Sequence, residues 1–76
     1  MVRPRKISLR ERLAVNVRNE RLARRWTQED LGHRSGVSQR YISRLESAKS
    51  AITVDTIDKL AEAFDVDGAQ LLRRPP

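Results

Sequence analysis

Apolar residues recur at helical spacing in two segments of the chain. Leu9, Leu13 and Val17 recur every four residues near the beginning. A second set recurs at steps of three and four between 54 and 64: Val54, Ile57, Leu60, Ala61 and Phe64. Such steps place side chains on one face of an α-helix. No stretch alternates between apolar and polar residues for long enough to predict a strand, so the pattern predicts an all-α chain.

Five helix starts share one local arrangement. Each begins with a side-chain oxygen that can accept a hydrogen bond from a first-turn amide, supplied in order by Ser8, Thr27, Ser38, Thr53 and Asp67. Four of them are also flanked by an apolar pair that fixes the angle of the incoming chain: Trp26 with Leu31, Val37 with Ile42, Ile52 with Ile57, and Val66 with Leu71. We therefore predict a compact bundle of five short helices, the first ending near Arg24.

The second and third predicted helices lie close together within residues 27–47. Between them, Gly36 suits a turn with positive φ, and Gly32 would let two crossing helices approach closely. Four apolar residues are predicted to point inward and hold that crossing: Leu31, Val37, Ile42 and Leu45. A small residue, a turn glycine four positions later and an aliphatic residue six beyond it are typical of a DNA-binding helix-turn-helix.

The outward face of the third predicted helix is polar and carries no acid. It comprises Gln39, Arg40, Ser43, Arg44 and Ser47. Arginine matches the acceptors of guanine and glutamine matches adenine, so this stripe favours base contacts in the major groove. The alternative is an ordinary solvated face, but the chain has ten acidic residues and such a face usually includes some of them.

Composition and charge agree with a small DNA-binding domain. The chain has 76 residues, no cysteine and a net charge of +6. Residues 1–25 hold nine basic and two acidic side chains, whereas residues 51–76 hold three and five. Such a basic region suggests a polyanionic partner, although it could also serve solubility. We predict a flexible basic arm at 1–7, one domain at 8–74, and a cytoplasmic location, because neither a signal peptide nor a membrane span is evident.

Metal binding and catalysis find little support in the residue pattern. His33 is the only histidine and has no second ligand at a suitable spacing. Asp55, Asp58 and Glu62 have the spacing of a solvated helix face, and Trp26 suits the core better than base stacking. With no nucleophile–base pair and no phosphate-binding glycine loop, we expect neither an enzyme, nor a metal, nor a cofactor.

The chain resembles the lambda-repressor-like helix-turn-helix regulators, also called the Cro/repressor or XRE family. The resemblance covers about residues 13–72 and rests on four motifs: NVR at 16–18, WTQEDL at 26–31, SGVSQRYISRLES at 35–47 and TVDTIDKLAEAF at 53–64. The run RYISRLE followed by the last motif is also similar to the controller proteins of restriction–modification systems. The motifs do not separate controllers from phage repressors, antitoxins or general regulators.

The resemblance implies a role for each matching position. The implied base-reading residues are Gln39, Arg40, Ser43 and Arg44. The residues implied to lie near the DNA backbone are Thr27, Gln28, Tyr41, Ser47 and Lys49, with Gln28 also bracing Gln39. Arg21 and Glu46 match an ion pair that orients the end of the third helix. Four departures from the family pattern remain, at Glu20, Arg25, Ala48 and Val54; the family often has glycine at the second and third of these.

A regulator of this kind is expected to bind a pseudo-palindromic operator as a homodimer, with recognition helices about 34 Å apart. The candidate dimer residues are Ile52, Phe64, Leu71 and Leu72. Occupying an operator would make it a repressor in the simplest case. The alternative is an antitoxin-like or adaptor module whose main partner is a protein, and a third hypothesis is non-specific packaging of nucleic acid.

Overall fold

A computed structural model describes residues 6–76 and shows a helical bundle. Its elements are four α-helices, α1 (Leu9–Ala23), α2 (Gln28–Ser35), α3 (Gln39–Glu46) and α4 (Val54–Phe64), and a 3-10 helix, η1 (Gly68–Leu72). The described residues include no strand. The all-α prediction is therefore confirmed, but the fifth helix is 3-10. Most of the predicted arm, residues 1–5, lies outside the described residues.

All five predicted N-caps are present. Ser8 and Glu11 form a reciprocal capping box at α1, and Thr27 and Asp30 form another at α2. The side chains of Ser38, Thr53 and Asp67 accept from the first-turn amides of α3, α4 and η1. Each cap satisfies an amide that has no partner within its helix, which is why these helices begin where they do.

The core is formed by one face from each of the five elements. Its buried residues are Leu13, Val17, Leu31, Ile42, Leu45, Leu60, Ala61, Phe64 and Leu71. At the end of the chain, η1 packs against both α1 and α4. The Asn16 side-chain amide holds this segment by donating to the carbonyls of Leu71 at 2.9 Å and Arg73 at 2.8 Å. The other elements of the bundle thus hold α2 and α3 in place through the shared core.

Glu20 in α1, one of the four departures from the family pattern, forms an ion pair in the structure. Arg24 donates to the Glu20 carboxylate at 2.8 Å and to the Phe64 carbonyl at 2.6 Å. Its guanidinium carbon lies 5.0 Å from the centre of the Phe64 ring. Leu22, on the same helix, is 50% exposed and lies outside the core. The Arg24 guanidinium, which is paired with Glu20 and lies over the Phe64 ring, therefore covers this part of the core.

Both positions at which the resemblance implies glycine have a left-handed backbone here. Arg25, after α1, has φ 59°, and Ala48, after α3, has φ 56°. Asp65, after α4, has φ 57°. A side chain in this region costs about 1 kcal/mol relative to the favoured conformations. Each of these residues follows a helix, where a left-handed residue ends the helical hydrogen bonding.

Candidate nucleic-acid interface

A tight turn joins α2 to α3. Gly36 has φ 76° and donates its amide to the Gly32 carbonyl at 2.9 Å, which closes α2. The Ser35 hydroxyl accepts from the Val37 amide at 3.1 Å and donates to the Leu31 carbonyl at 2.7 Å. A Cβ at Gly32 would lie only 3.0 Å from the Val37 carbonyl oxygen. The two glycines therefore do what the sequence predicted: one turns the chain and the other lets the helices approach.

The helix that follows has one buried face and one exposed polar face. Ile42 and Leu45 are 0% and 1% exposed and belong to the core. The residues on the other face are all exposed: Gln39, Arg40, Ser43, Arg44 and Ser47. The Ser47 hydroxyl donates to the Ser43 carbonyl at 3.0 Å. The predicted inward and outward residues of this helix are confirmed, and the outward face offers hydrogen-bonding groups without an acid.

A part-buried ion pair fixes the end of α3 against α1. Arg21 donates from Nε to Glu46 Oε2 at 2.8 Å and from Nη2 to Oε1 at 2.9 Å. The two side chains are only 11% and 6% exposed. The hydrogen bonds to Glu46 raise the pKa of the Arg21 guanidinium above its ordinary value. Because both oxygens are engaged in a fork-to-fork arrangement, the pair restrains the direction of α3 as well as its position.

Gln28 extends this network from α2. Its amide donates to Glu46 Oε1 at 3.3 Å, and it is half-buried. Among the described residues its donor thus bonds to Glu46, and the predicted brace to Gln39 is not formed. Arg21 also donates to the Trp26 carbonyl at 2.8 Å, just before α2. One carboxylate therefore joins α1, α2 and α3 at the side of the exposed face.

Two side chains of α3 reach across to the loop at residues 48–53. The Tyr41 hydroxyl donates to the Ala51 carbonyl at 2.9 Å, and Arg44 Nε donates to the Ser50 hydroxyl at 2.8 Å. Lys49 is exposed between these attachments, and its amide donates to the Arg44 carbonyl at 3.0 Å. Sequence reasoning missed Ser50, because no local pattern links it to Arg44 six residues earlier.

The dimer candidates divide into two groups. Phe64 and Leu71 are only 2% and 0% exposed, so their selection as dimer residues is wrong: α4 and η1 turn both into the core of the single chain. Ile52 and Leu72 are half-buried and line a shallow apolar groove. The sequence analysis missed two further groove residues, Leu9 and Val54, which are 61% and 79% exposed. Their exposure could have been found only from the bundle, since both follow the helical spacing of core residues.

The described residues contain no group of His, Asp and Glu side chains that could hold a metal ion. His33 is exposed on α2, with Nε2 3.7 Å from the Glu29 carboxylate. None of the helices within residues 6–76 is long and apolar enough to cross a membrane.

Comparison with known proteins places the chain in a family. The family profile HTH_3, described as helix-turn-helix, matches residues 17–71. The chain belongs to this family. The HTH_3 proteins are DNA-binding transcriptional regulators of the XRE type.

Two curated relatives are similar to this HTH_3 chain. A hypothetical transcription factor of Neisseria meningitidis serogroup B is 37% identical over 67 residues, which cover 88% of this chain and 63% of the relative. The chain thus spans less than two thirds of that protein. Control protein C.SmaI of Serratia marcescens is 34% identical over 68 residues, covering 90% of this chain and 81% of the relative.

Solved structures share the HTH_3 fold. The crystal structure of the hypothetical transcription factor NHTF from Neisseria matches with a TM-score of 0.86 at 33% identity, covering 97% of this chain and 90% of that one. The restriction–modification controller protein C.Esp1396I, a tetramer in complex with its natural 35-base-pair operator, matches with a TM-score of 0.77 at 23% identity, covering 87% of each chain. The second likeness concerns the fold alone.

Proposed function

We propose that this chain is a sequence-specific double-stranded DNA-binding regulator whose α2 and α3 form the helix-turn-helix, with α3 in the major groove. The observation that carries the proposal is the exposed face of α3. It is polar and free of acids, whereas the opposite face is locked in the core by Ile42 and Leu45. A rigid helix with such a face has the shape and chemistry that the major groove accommodates.

The base-reading role belongs to four exposed side chains of α3: Gln39, Arg40, Ser43 and Arg44. The two arginines offer paired donors for guanine O6 and N7, and the glutamine offers a donor and an acceptor for adenine. Ser43 is short enough to lie near the base edges without a clash. Specificity therefore resides in α3.

Backbone contacts surround this face. The residues proposed for them are Thr27, Gln28, Tyr41, Ser47 and Lys49. Lys49 is exposed in the loop after α3 and is the simplest phosphate-neutralising group among them. Gln28 and Tyr41 also hydrogen-bond within the protein, to Glu46 and to the Ala51 carbonyl respectively. Each would therefore both contact the DNA backbone and hold its protein partner in place next to the DNA. The excess of basic residues before position 26 supplies long-range attraction.

The chain is proposed to bind a pseudo-palindromic operator as a homodimer. The groove formed by Leu9, Ile52, Val54 and Leu72 is the apolar surface available for the contact. Oligomeric binding to an operator is known for C.Esp1396I, which supports the proposal by fold only. Occupying the operator would regulate transcription, and the site of action of such a protein is the cytoplasm.

Selection of bound duplexes from a randomised pool tests the proposal directly. We expect a single enriched motif with two inverted half-sites whose centres are about one helical turn apart. If the pool stays random after several rounds although the protein retains DNA at low salt, the result would contradict sequence-specific binding and favour non-specific binding. If the protein retains no DNA even at low salt, an adaptor function with a protein partner gains support.

A further inference from the structure

Arg44 is held by a residue outside its own helix. Its Nε donates to the Ser50 hydroxyl at 2.8 Å. Arg44 is exposed on α3, whereas Ser50 is half-buried in the following loop. The half-buried Ser50 hydroxyl therefore restrains the Arg44 side chain, which would otherwise sample many rotamers in solvent.

The position of the Ser50 hydroxyl is itself fixed relative to α3. Before it, Ala48 has φ 56°, and the Lys49 amide donates to the Arg44 carbonyl at 3.0 Å. After it, the Ala51 carbonyl accepts from the Tyr41 hydroxyl at 2.9 Å. Attachments on both sides thus tie this part of the loop to α3, so the Arg44–Ser50 bond joins two points of one rigid unit.

The bond uses one particular edge of the guanidinium. With Nε occupied, the side-on edge that includes Nε cannot present both of its donors to DNA. No acceptor among the described residues is seen bonded to Nη1 or Nη2, so the end-on edge keeps two parallel donors. That pair matches the adjacent O6 and N7 acceptors of guanine. Holding the side chain before binding also lowers the entropy lost when the contact forms.

Resting on the function proposed above, we propose that Ser50 is a positioning residue for base recognition: it orients Arg44 for an end-on contact with guanine. Ser50 itself makes no base contact in this scheme. Its contribution therefore exists only while Arg44 is present, and only at the base pair that Arg44 reads.

A double-mutant cycle with Ser50→Ala and Arg44→Ala tests this proposal. The probe is the duplex that the wild-type chain selects from a randomised pool, together with single-base variants of it. The base pair at which Arg44→Ala loses discrimination identifies the Arg44 contact. Ser50→Ala is expected to weaken binding to the selected duplex by roughly three- to tenfold and to reduce discrimination at that base pair.

Three further readouts separate positioning from other roles. Ser50→Thr keeps the hydroxyl and is expected to bind like the wild type. Ser50→Ala added to Arg44→Ala is expected to cause no further loss. The salt dependence of Ser50→Ala should match that of the wild type, because no phosphate contact is removed. Circular dichroism of each variant confirms that the helices are intact.

Several results would overturn the proposal. Unchanged binding by Ser50→Ala would show that the hydroxyl does not orient Arg44. Tighter binding would mean that Ser50 withholds Arg44 from DNA. An equal loss with and without Arg44 would assign Ser50 its own DNA contact. Failure of the underlying function looks different, because the wild-type chain would then enrich no sequence from the pool.

Discussion

Arg21 on α1 and Glu46 at the end of α3 form a two-pronged ion pair with N–O distances of 2.8 and 2.9 Å, and both side chains are largely buried. The same carboxylate accepts from Gln28 on α2. The pair therefore connects the helix proposed to recognise DNA with the two helices that support it. Neither residue is proposed to contact DNA, so removing the pair should lower the stability of the fold without removing a DNA-contacting group.

Glu46→Gln should lower the free energy of unfolding by about 2 kcal/mol, because it leaves the part-buried Arg21 guanidinium without a carboxylate. Glu62→Gln, on the exposed side of α4, is the matched control and should change stability by less than about 0.5 kcal/mol. Urea unfolding monitored by circular dichroism measures both. Equal stability of the two variants would show that the pair contributes little.

Ala48→Gly should stabilise the protein by about 1 kcal/mol, because Ala48 has φ 56° and glycine adopts this conformation without the clash of a Cβ. The same substitution at Ala23, the exposed last residue of α1, should not stabilise the protein and should destabilise it by up to about 1 kcal/mol. Thermal unfolding compares them. The strain argument fails if both substitutions shift the melting temperature in the same direction.

Asp30 makes the α2 capping box sensitive to pH. The Thr27 backbone amide donates to its carboxylate at 2.8 Å and, together with the Thr27 side chain, lowers the pKa of Asp30 below its ordinary value. The stabilisation is therefore complete above the ordinary pKa of aspartate and is lost as the pH falls through the lowered value. The difference in melting temperature between wild type and Asp30→Asn should be largest near neutral pH and shrink in acid. The control, Asp58→Asn on the exposed face of α4, should show no comparable trend; a similar trend would refute the assignment.

Arg44→Ala and Lys49→Ala should weaken DNA binding in different ways. Loss of Arg44 should cost about 1–3 kcal/mol on the selected operator and relax the choice of base at one position. Loss of Lys49 should weaken binding to all duplexes alike and reduce the salt slope by about 1. Fluorescence anisotropy at several salt concentrations, on operator and scrambled duplexes, measures both effects. Base recognition by α3 is refuted if the two variants behave identically on both duplexes.

Val54→Asp should separate dimerisation from folding. Val54 is 79% exposed in the apolar groove and is the first residue of α4, where a negative side chain is compatible with the helix dipole. Leu22→Asp, 50% exposed on α1 and outside the groove, is the control. Sedimentation equilibrium should show dimers for wild type and control and monomers for Val54→Asp. A dimeric Val54→Asp variant would move the interface elsewhere.

The features that sequence predicted well depend on short-range chemistry. A capping side chain and its amide lie two or three residues apart, so Ser8 and Thr27 reveal their helices directly. The inward direction of Ile42 and Leu45 follows from helical spacing once the cap of α3 is known. Gly36 likewise specifies its turn through its own backbone freedom.

The features that sequence reasoning missed depend on how distant segments meet. Phe64 and Leu71 follow the apolar spacing that an interface residue could also have. The packing of α4 and η1 against α1, which the sequence does not reveal, buries both. Ser50 reaches Arg44 because Ala48 adopts a left-handed backbone that folds the loop back on α3. The apolar groove also depends on how the helices pack. Leu9 and Val54 have the spacing of core residues in α1 and α4, but in the bundle they lie outside the core and stay exposed.

Trp26 gives the molecule its own optical reporter of folding. It is the single tryptophan, its ring lies 5.8 Å from that of Phe64 at an angle of 14°, and the Arg34 guanidinium lies 4.4 Å from its centre. Its emission therefore depends on the junction between α2 and α4 remaining closed. Fluorescence can follow unfolding of the bundle without any attached dye, and a variant that alters DNA binding at unchanged tryptophan emission has kept that junction intact.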